Sequence, residues 1–222
     1  MKWEMVDFLK CVEDITGGNR KFPTTEYSIS GSFPIIDQGE ALIGGYTESK
    51  DIVKRLKPVV VFGDHTKALK YIDFDFCLGA DGVKILQPYD KIDTKFLYYY
   101  LHTQKLPDVG YSRHFKFLKD IQIPLPPLAE QKRIAAILDK ADALRRKDEE
   151  LLSKYDELAQ SIFIDMFGDP VKNEKGWEVK KLSEICNKIT DGTHDTPERL
   201  KSGIKFITGK HIRPYSIDFD NS

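Results

Sequence analysis

Cysteine is scarce in this 222-residue chain. Cys11, Cys77 and Cys186 are odd in number and far apart, and no Cys-x-x-Cys pair exists, which excludes a disulfide framework and a zinc ribbon. Such usage fits a reducing setting, and the expected location is the cytoplasm. No apolar run approaches the roughly 18 residues that a membrane helix needs, so no membrane partner is expected. The opening MKWEMVDFLK has acidic residues among its first positions and no apolar h-region, unlike a secretory signal. An excess of one charge is missing too. The 34 Lys and Arg nearly balance 35 Asp and Glu for a net charge of −1, so the chain is no generic polycation. Any contact with nucleic acid must come from local placement of charge.

Catalytic constellations are equally thin. Gly203 to His211 resembles a phosphate loop, but its two glycines have five residues between them instead of four and no hydroxyl follows Lys210. The five histidines, at 65, 102, 114, 194 and 211, share no ligand spacing with each other or with cysteine, so no metal site is expected. Asp81 with Asp93 and Lys95 satisfies a loose nuclease pattern, two carboxylates for magnesium and a lysine beside the attacking water. Asp93 as a helix cap explains the same residues without chemistry. An Asn/Asp-Pro-Pro-aromatic motif is absent, since Pro126-Pro127 stands between leucines. The expected catalytic set is therefore none.

What the chain does contain is apolar material for a core, 41% of its residues, with aromatics at 11%. A wholly disordered chain is excluded. It also contains an internal repeat. Trp3, Glu4, Ile15, Thr16 and Gly18 recur as Trp177, Glu178, Ile189, Thr190 and Gly192 at a constant offset of 174, with Phe8 matched by Leu182. The chain thus reads as one module, a spacer and the start of a second module.

The first module reads as α+β. Pro58–Phe62 is a β-branched run closed by Gly63-Asp64, as in a buried strand and turn. Tyr71–Leu78 alternates as one strand, Val83–Leu86 follows as another, and Asp93 or Thr94 caps a helix from Lys95 to Thr103. Three prolines in Ile123–Pro127 hold the chain extended. Leu128–Met166 then runs without Pro or Gly until Gly168-Asp169-Pro170. Ile137, Leu144, Leu151 and Leu158 occupy one heptad position, and Ile134, Ala141, Tyr155 and Ile162 the other, with Asp148 the polar exception. The pattern predicts a coiled-coil helix of about 40 residues, roughly 60 Å long, that needs a helical partner. The alternative is a helix packed wholly on its own module.

Several loops suit base edges and phosphates. Gly63-Asp64-His65-Thr66-Lys67 turns directly after a strand. Pro34–Gly39 offers Gln38, Gly44–Thr47 offers Tyr46 and Thr47, and Tyr111–Lys116 interleaves aromatics with Arg113, His114 and Lys116. Gln pairs with adenine and Arg or Lys with guanine, while Lys also suits phosphate. The candidate DNA-binding set is Gln38, Tyr46, Thr47, His65, Thr66, Lys67, Arg113, His114 and Lys116, with Lys67 assigned to phosphate and Arg113 to a base edge. The candidate partner or dimer helix presents Ile134, Ile137, Leu144, Leu151, Tyr155, Leu158 and Ile162.

The segment Ile123-Pro-Leu-Pro-Pro-Leu-Ala-Glu-Gln-Lys-Arg-Ile-Ala-Ala-Ile-Leu138 resembles the DNA-specificity (S) subunits of type I restriction-modification systems, in which Pro-Leu-Pro-Pro-Leu-x-Glu-Gln opens the helix behind each target-recognition domain. Phe62–Thr66, Gly79–Gly82, Tyr111–Ile121 and Met166–Pro170 are similar to other segments of that family. The resemblance implies a target-recognition domain over 1–124, a spacer helix over 125–168 for subunit docking, and the truncated start of a second recognition domain over 169–222. It implies a non-catalytic chain that binds double-stranded DNA and modification and restriction subunits; the apolar stripe from Ile134 to Ile162 itself predicts that the chain dimerises or aggregates through its helix. No cofactor would be bound directly; S-adenosylmethionine, ATP and magnesium would belong to the partners. The rival readings are an independent nuclease using Asp81, Asp93 and Lys95, and a scaffold or anti-restriction protein that reads no DNA.

Overall fold

The computed structural model describes residues 3–80, 82–107, 110, 112–190, 203, 205–213 and 216–219. The chain divides into two compact units, Met1–Leu158 and Ala159–Ser222. In the first, the chain runs through β1 (Met5–Asp7), β2 (Val12–Asp14), β3 (Lys21–Phe22), β4 (Phe33–Ile36), β5 (Gly45–Thr47), β6 (Val59–Gly63), β7 (Leu69–Ile72), β8 (Cys77–Gly79) and β9 (Val83–Pro88). Helices α1 (Thr94–His102) and α2 (Phe115–Leu118), strand β10 (Gln122–Pro124) and the long helix α3 (Leu128–Phe167) follow.

One sheet has the order β2-β9-β6-β7, antiparallel throughout. A second has the order β3-β8-β4-β5, with β8 parallel to both β3 and β4. Central strand β6 is buried from end to end because both of its faces are covered. Val60 and Phe62 face α1, packing with Phe96, Leu97 and Leu101. Val59 and Val61 face the other way, with Ile36 and Leu78 from the second sheet and Phe76 just before β8. A continuous apolar run, instead of an alternating one, is what such a doubly covered strand requires. Each side chain so buried contributes about 1.5–3 kcal/mol relative to exposure.

The alternating stretch 71–78 is not one strand. The chain leaves the first sheet after Ile72, and Cys77–Gly79 joins the second sheet as β8. Asp73 and Asp75 are exposed at the crossing, while Phe76 is buried and its carbonyl accepts the Val53 N–H at 2.8 Å. The alternation of side chains persists through the change of sheet, so period two alone hides it. Helix α1 begins at Thr94. Asp93 is its cap, with a side-chain oxygen accepting the Phe96 N–H at 3.0 Å. The proline segment is extended as expected: β10 pairs with β1, Val6 opposite Ile123, and the Leu125 N–H donates to the Glu4 carbonyl at 2.8 Å.

Helix α3 starts beside this pairing. Its first turns are held by Gln131, which is fully buried: its amide oxygen accepts the Asp93 N–H at 2.8 Å, and its NH2 donates to the carbonyls of Lys91 and Pro126, each at 2.9 Å. Ala135 is buried and Ile134 packs on the module core, so Ile134 belongs to its own module and leaves the expected free stripe. Lys95 meets Asp139 at 2.6 Å and the Tyr99 hydroxyl donates to the same carboxylate at 2.8 Å. Beyond these contacts the apolar residues of the heptad pattern are exposed: Ile137, Leu144, Leu151, Tyr155, Leu158 and Ile162 each show about half or more of their surface. The outer face carries local pairs such as Arg145 with Asp142 and Glu149, worth about 0.3–0.5 kcal/mol apiece.

In the second unit, Gly168 adopts a left-handed conformation (φ 79°) that ends the helix. The Trp177 indole N–H donates to the Phe167 carbonyl at 2.7 Å, and its ring lies 6.3 Å from that of Phe167. A short helix, α4 (Leu182–Ile185), falls where the repeat places the single helical turn Phe8–Lys10 of the first unit. The hairpin of β11 (Ile212–Arg213) and β12 (Ser216–Ile217) follows. Gly192 and His194 lie outside the described residues.

Candidate nucleic-acid interface

Strand β6 ends at Gly63, where the chain reverses through Lys67, itself in the left-handed region (φ 63°). The Lys67 N–H donates to the Gly63 carbonyl and the Gly63 N–H to the Ala68 carbonyl, both at 2.8 Å. Inside this turn Asp64 is nearly fully buried and pins three chain segments together. Its N–H donates to the Gly82 carbonyl at 2.6 Å, its own carbonyl accepts the His114 N–H at 2.8 Å, and its carboxylate accepts the Phe115 N–H at 2.7 Å. The loop after β4 joins them, because the Thr66 hydroxyl donates to the Gln38 carbonyl.

Two glycines permit this closeness. A Cβ on Gly63 would lie 2.2 Å from the Thr66 hydroxyl and 2.8 Å from the Gln38 carbonyl oxygen. On Gly82, whose φ is +87°, a Cβ would lie 2.6 Å from Gln38 Oε1 and 2.9 Å from the His65 ring. Gln38, His65, Thr66 and Lys67 therefore share one place with the 112–116 segment, although they are far apart in sequence. Thr66, Arg113 and Lys116 are exposed there. Lys84 and Lys119 approach the Phe115 ring at 4.9 and 5.2 Å, and Lys116 lies 4.9 Å from the Phe117 ring, so cations gather around α2. The acids nearby are engaged. Asp64 is a backbone acceptor, and Asp37 lies 3.4 Å from the Lys70 ammonium, which also donates to the Asp37 carbonyl at 2.8 Å. Burial pushes the Lys70 ammonium below its ordinary value, with Asp37 pulling the other way.

Three polar atoms in this region, Gln38 Oε1, Ser112 Oγ and His114 Nε2, are buried with no hydrogen-bond partner among the described residues. Orphaned acceptors and donors are rare in folded interiors, and a cluster of them at a loop tip suits a polar ligand.

Not every candidate residue joins the cluster. His114 is a correction: its ring is buried and Nδ1 sits 3.0 Å from the Asp64 carbonyl, so it braces the loop from inside instead of standing exposed at its tip. Tyr46 and Thr47 lie on β5, opposite Pro34 and Phe33, toward the far end of β4 from Gln38. Tyr111 lies outside the described residues. Asp64, Ser112 and the buried Lys70 were missed as site-forming residues; the one local signal is an acid placed directly after a fully apolar strand. Two of the three side chains of the magnesium alternative are engaged elsewhere. Asp93 caps α1, Lys95 is paired with Asp139, and Asp81 lies outside the described residues. Among the described residues no cluster of three metal-ligating side chains occurs, and no helix is long and apolar enough to cross a membrane.

Relatives share this architecture. The chain is 31% identical over 160 residues to the type I restriction enzyme MjaIX specificity subunit of Methanocaldococcus jannaschii, covering 59% of this chain and 36% of the relative. It is 34% identical over 133 residues to the EcoR124I/EcoR124II specificity subunit of Escherichia coli, covering 54% and 33% respectively. It thus spans about a third of the length of these curated relatives. The crystal structure of a type I restriction-modification S subunit from M. genitalium has the same fold, with TM-score 0.54 and 18% identity, covering 83% of this chain and 48% of that one. A family model for the type I restriction modification DNA specificity domain matches residues 2–153. That match takes in the converging loops, the proline segment and most of α3, and the chain belongs to this DNA specificity family.

Proposed function

We propose that the first unit reads one part of a DNA target and that α3 joins this reader to modification and restriction subunits, which carry out the chemistry in the cytoplasm. In this reading the chain is non-catalytic and binds no cofactor itself. The observation that carries it is the convergence of the Gln38, His65–Lys67 and 112–116 segments, pinned by Asp64, with exposed Thr66, Arg113 and Lys116 at the rim. Direct readout needs donors and acceptors held rigidly at base edges, and phosphate contacts need only cations nearby. The exposed heptad residues from Ile137 to Ile162 favour a second helix as the partner of α3, from another copy of the chain or from an associated subunit.

The test is a binding selection on random duplexes with the full chain and its modification subunit. Lys67→Ala should weaken binding uniformly across sequences and lower the salt slope by about one. Arg113→Ala should cost roughly 5- to 150-fold on the preferred site and relax one base position. An unchanged sequence preference in Arg113→Ala would remove its base-reading role, and binding of a modification subunit with no duplex affinity would favour a scaffold.

A further inference from the structure

Strand β7 closes one side of the first sheet, and its outer edge is open. The Gly63 N–H to Ala68 carbonyl bond fixes the phase of the β6–β7 ladder, so that Lys70 and Ile72 exchange bonds with β6. The N–H and C=O groups of Leu69 and Tyr71 then point away from β6, and among the described residues they make no hydrogen bond. Natural sheets blunt such edges with charged side chains, prolines, bulges or a covering loop. Among the described residues β7 has no proline, its pairing with β6 is unbroken by a bulge, and the side chain of its lysine, Lys70, is buried and bonded to Asp37.

The edge opens into a cleft of about 730 Å3. Tyr71, Tyr98 and Tyr99 line one side of it and Leu42 adds apolar surface. Most charges in the cleft are matched: Asp139 by Lys95, Asp142 by Arg145 and Arg146, Glu149 by Arg145. Glu40 and Asp73 are exposed and form no ion pair among the described residues. The uncompensated charge is therefore acidic, and the Tyr98 and Tyr99 ring faces suit a cation.

We propose that β7 is a docking edge for an extended, basic segment of a partner protein, which adds to the sheet as a further strand within this cleft. Backbone pairing with Leu69 and Tyr71 supplies the register. Side chains on alternate positions meet the tyrosines on one side, and Leu42 and Glu40 on the other. This surface borders the loops assigned to DNA at Lys70 but includes none of the exposed residues, Thr66, Arg113 and Lys116, assigned to contact it.

A fluorescent, acetylated peptide alternating valine with arginine and lysine tests the idea by anisotropy against the full chain. Methylating alternate peptide amides should weaken binding roughly tenfold, since two backbone bonds are lost. Tyr71→Pro, which removes an outward N–H without touching the bonds to β6, should weaken it by a similar factor beyond Tyr71→Ala. The peptide should also slow amide exchange at Leu69 and Tyr71, and Glu40→Gln with Asp73→Asn should reduce the salt dependence. If Tyr71→Pro fails to fold by circular dichroism, the methylated peptides and the exchange data decide. Absence of binding, equal binding of the methylated peptide, or unchanged exchange at both amides overturns the proposal. So does displacement of the peptide by a short duplex, or the same protection arising from self-association of the chain alone.

Discussion

Gln131→Ala is expected to be among the most damaging single substitutions on α3, despite lying in a helix whose later apolar residues are exposed. The side chain satisfies three backbone groups at once, the Asp93 N–H and the carbonyls of Lys91 and Pro126. The Pro126 bond is fully buried, and leaving that carbonyl unpaired costs about 1–3 kcal/mol. The other two sites are partly buried, so water recovers some of the loss and each costs about 1 kcal/mol. The expected loss is roughly 3–5 kcal/mol, a large part of a typical domain's stability. Gln131→Glu should be worse at neutral pH, because an ionised carboxylate accepts from Asp93 but cannot donate to either carbonyl. Burial would raise the folded pKa of that glutamate above its unfolded value of about 4.3. Its deficit should therefore shrink as pH falls through the folded value, where the protonated acid recovers one donor. Arg133→Ala, which breaks only an exposed pair with Glu130, is the control and should stay within about 0.5 kcal/mol. Urea unfolding followed by far-UV circular dichroism at pH 7 and pH 5 gives all four values. A Gln131→Ala loss below about 1 kcal/mol, or a Gln131→Glu deficit that ignores pH, would refute the reasoning.

Replacing both Leu151 and Leu158 by Glu should leave urea stability of the first unit nearly unchanged, since both are exposed, while shifting sedimentation toward a monomer at high micromolar concentration. A chain that sediments as a clean monomer before substitution would count against self-association through this stripe. Asp14 adds a pH signature. Burial raises its pKa, but hydrogen bonds from Thr16 and Lys84 outweigh it and hold the carboxyl below its ordinary value. Its contribution is thus present above the unfolded value near 3.9 and is lost as pH falls through the lowered one. The stability gap between wild type and Asp14→Asn should be wide at pH 7 and narrow toward pH 2, and a constant gap would exclude the carboxylate as the cause.

Much of the architecture was legible in the residues. Val59–Phe62 declared a strand covered on both sides, Asp93 a helix cap, and the run from Leu128 a single helix within one residue of its actual end. Short strands were not legible. Elements of two to four residues such as β1, β3 and β5 carry too little periodicity, and their pairing partners are distant. The two-sheet path through 71–78 was hidden because alternation survives a change of sheet. Within the candidate interface, residue type located the loops but not their roles. His114 looked like an exposed donor and is a buried brace, because its part is decided by Asp64, fifty positions away. Ile134 fitted the heptad as well as Leu144 did. Only the position of the module shows that one is covered and the other is not.

The pairing of β1 with β10 brings the two ends of the first module side by side at the foot of α3. The polypeptide therefore goes in and comes out through a single gate, and everything between is a closed cartridge. A different cartridge spliced at those two points would inherit the same stalk and the same spacing to whatever the stalk carries. On the function proposed above, such an exchange would change target preference wholesale and leave the mechanics of assembly as they were.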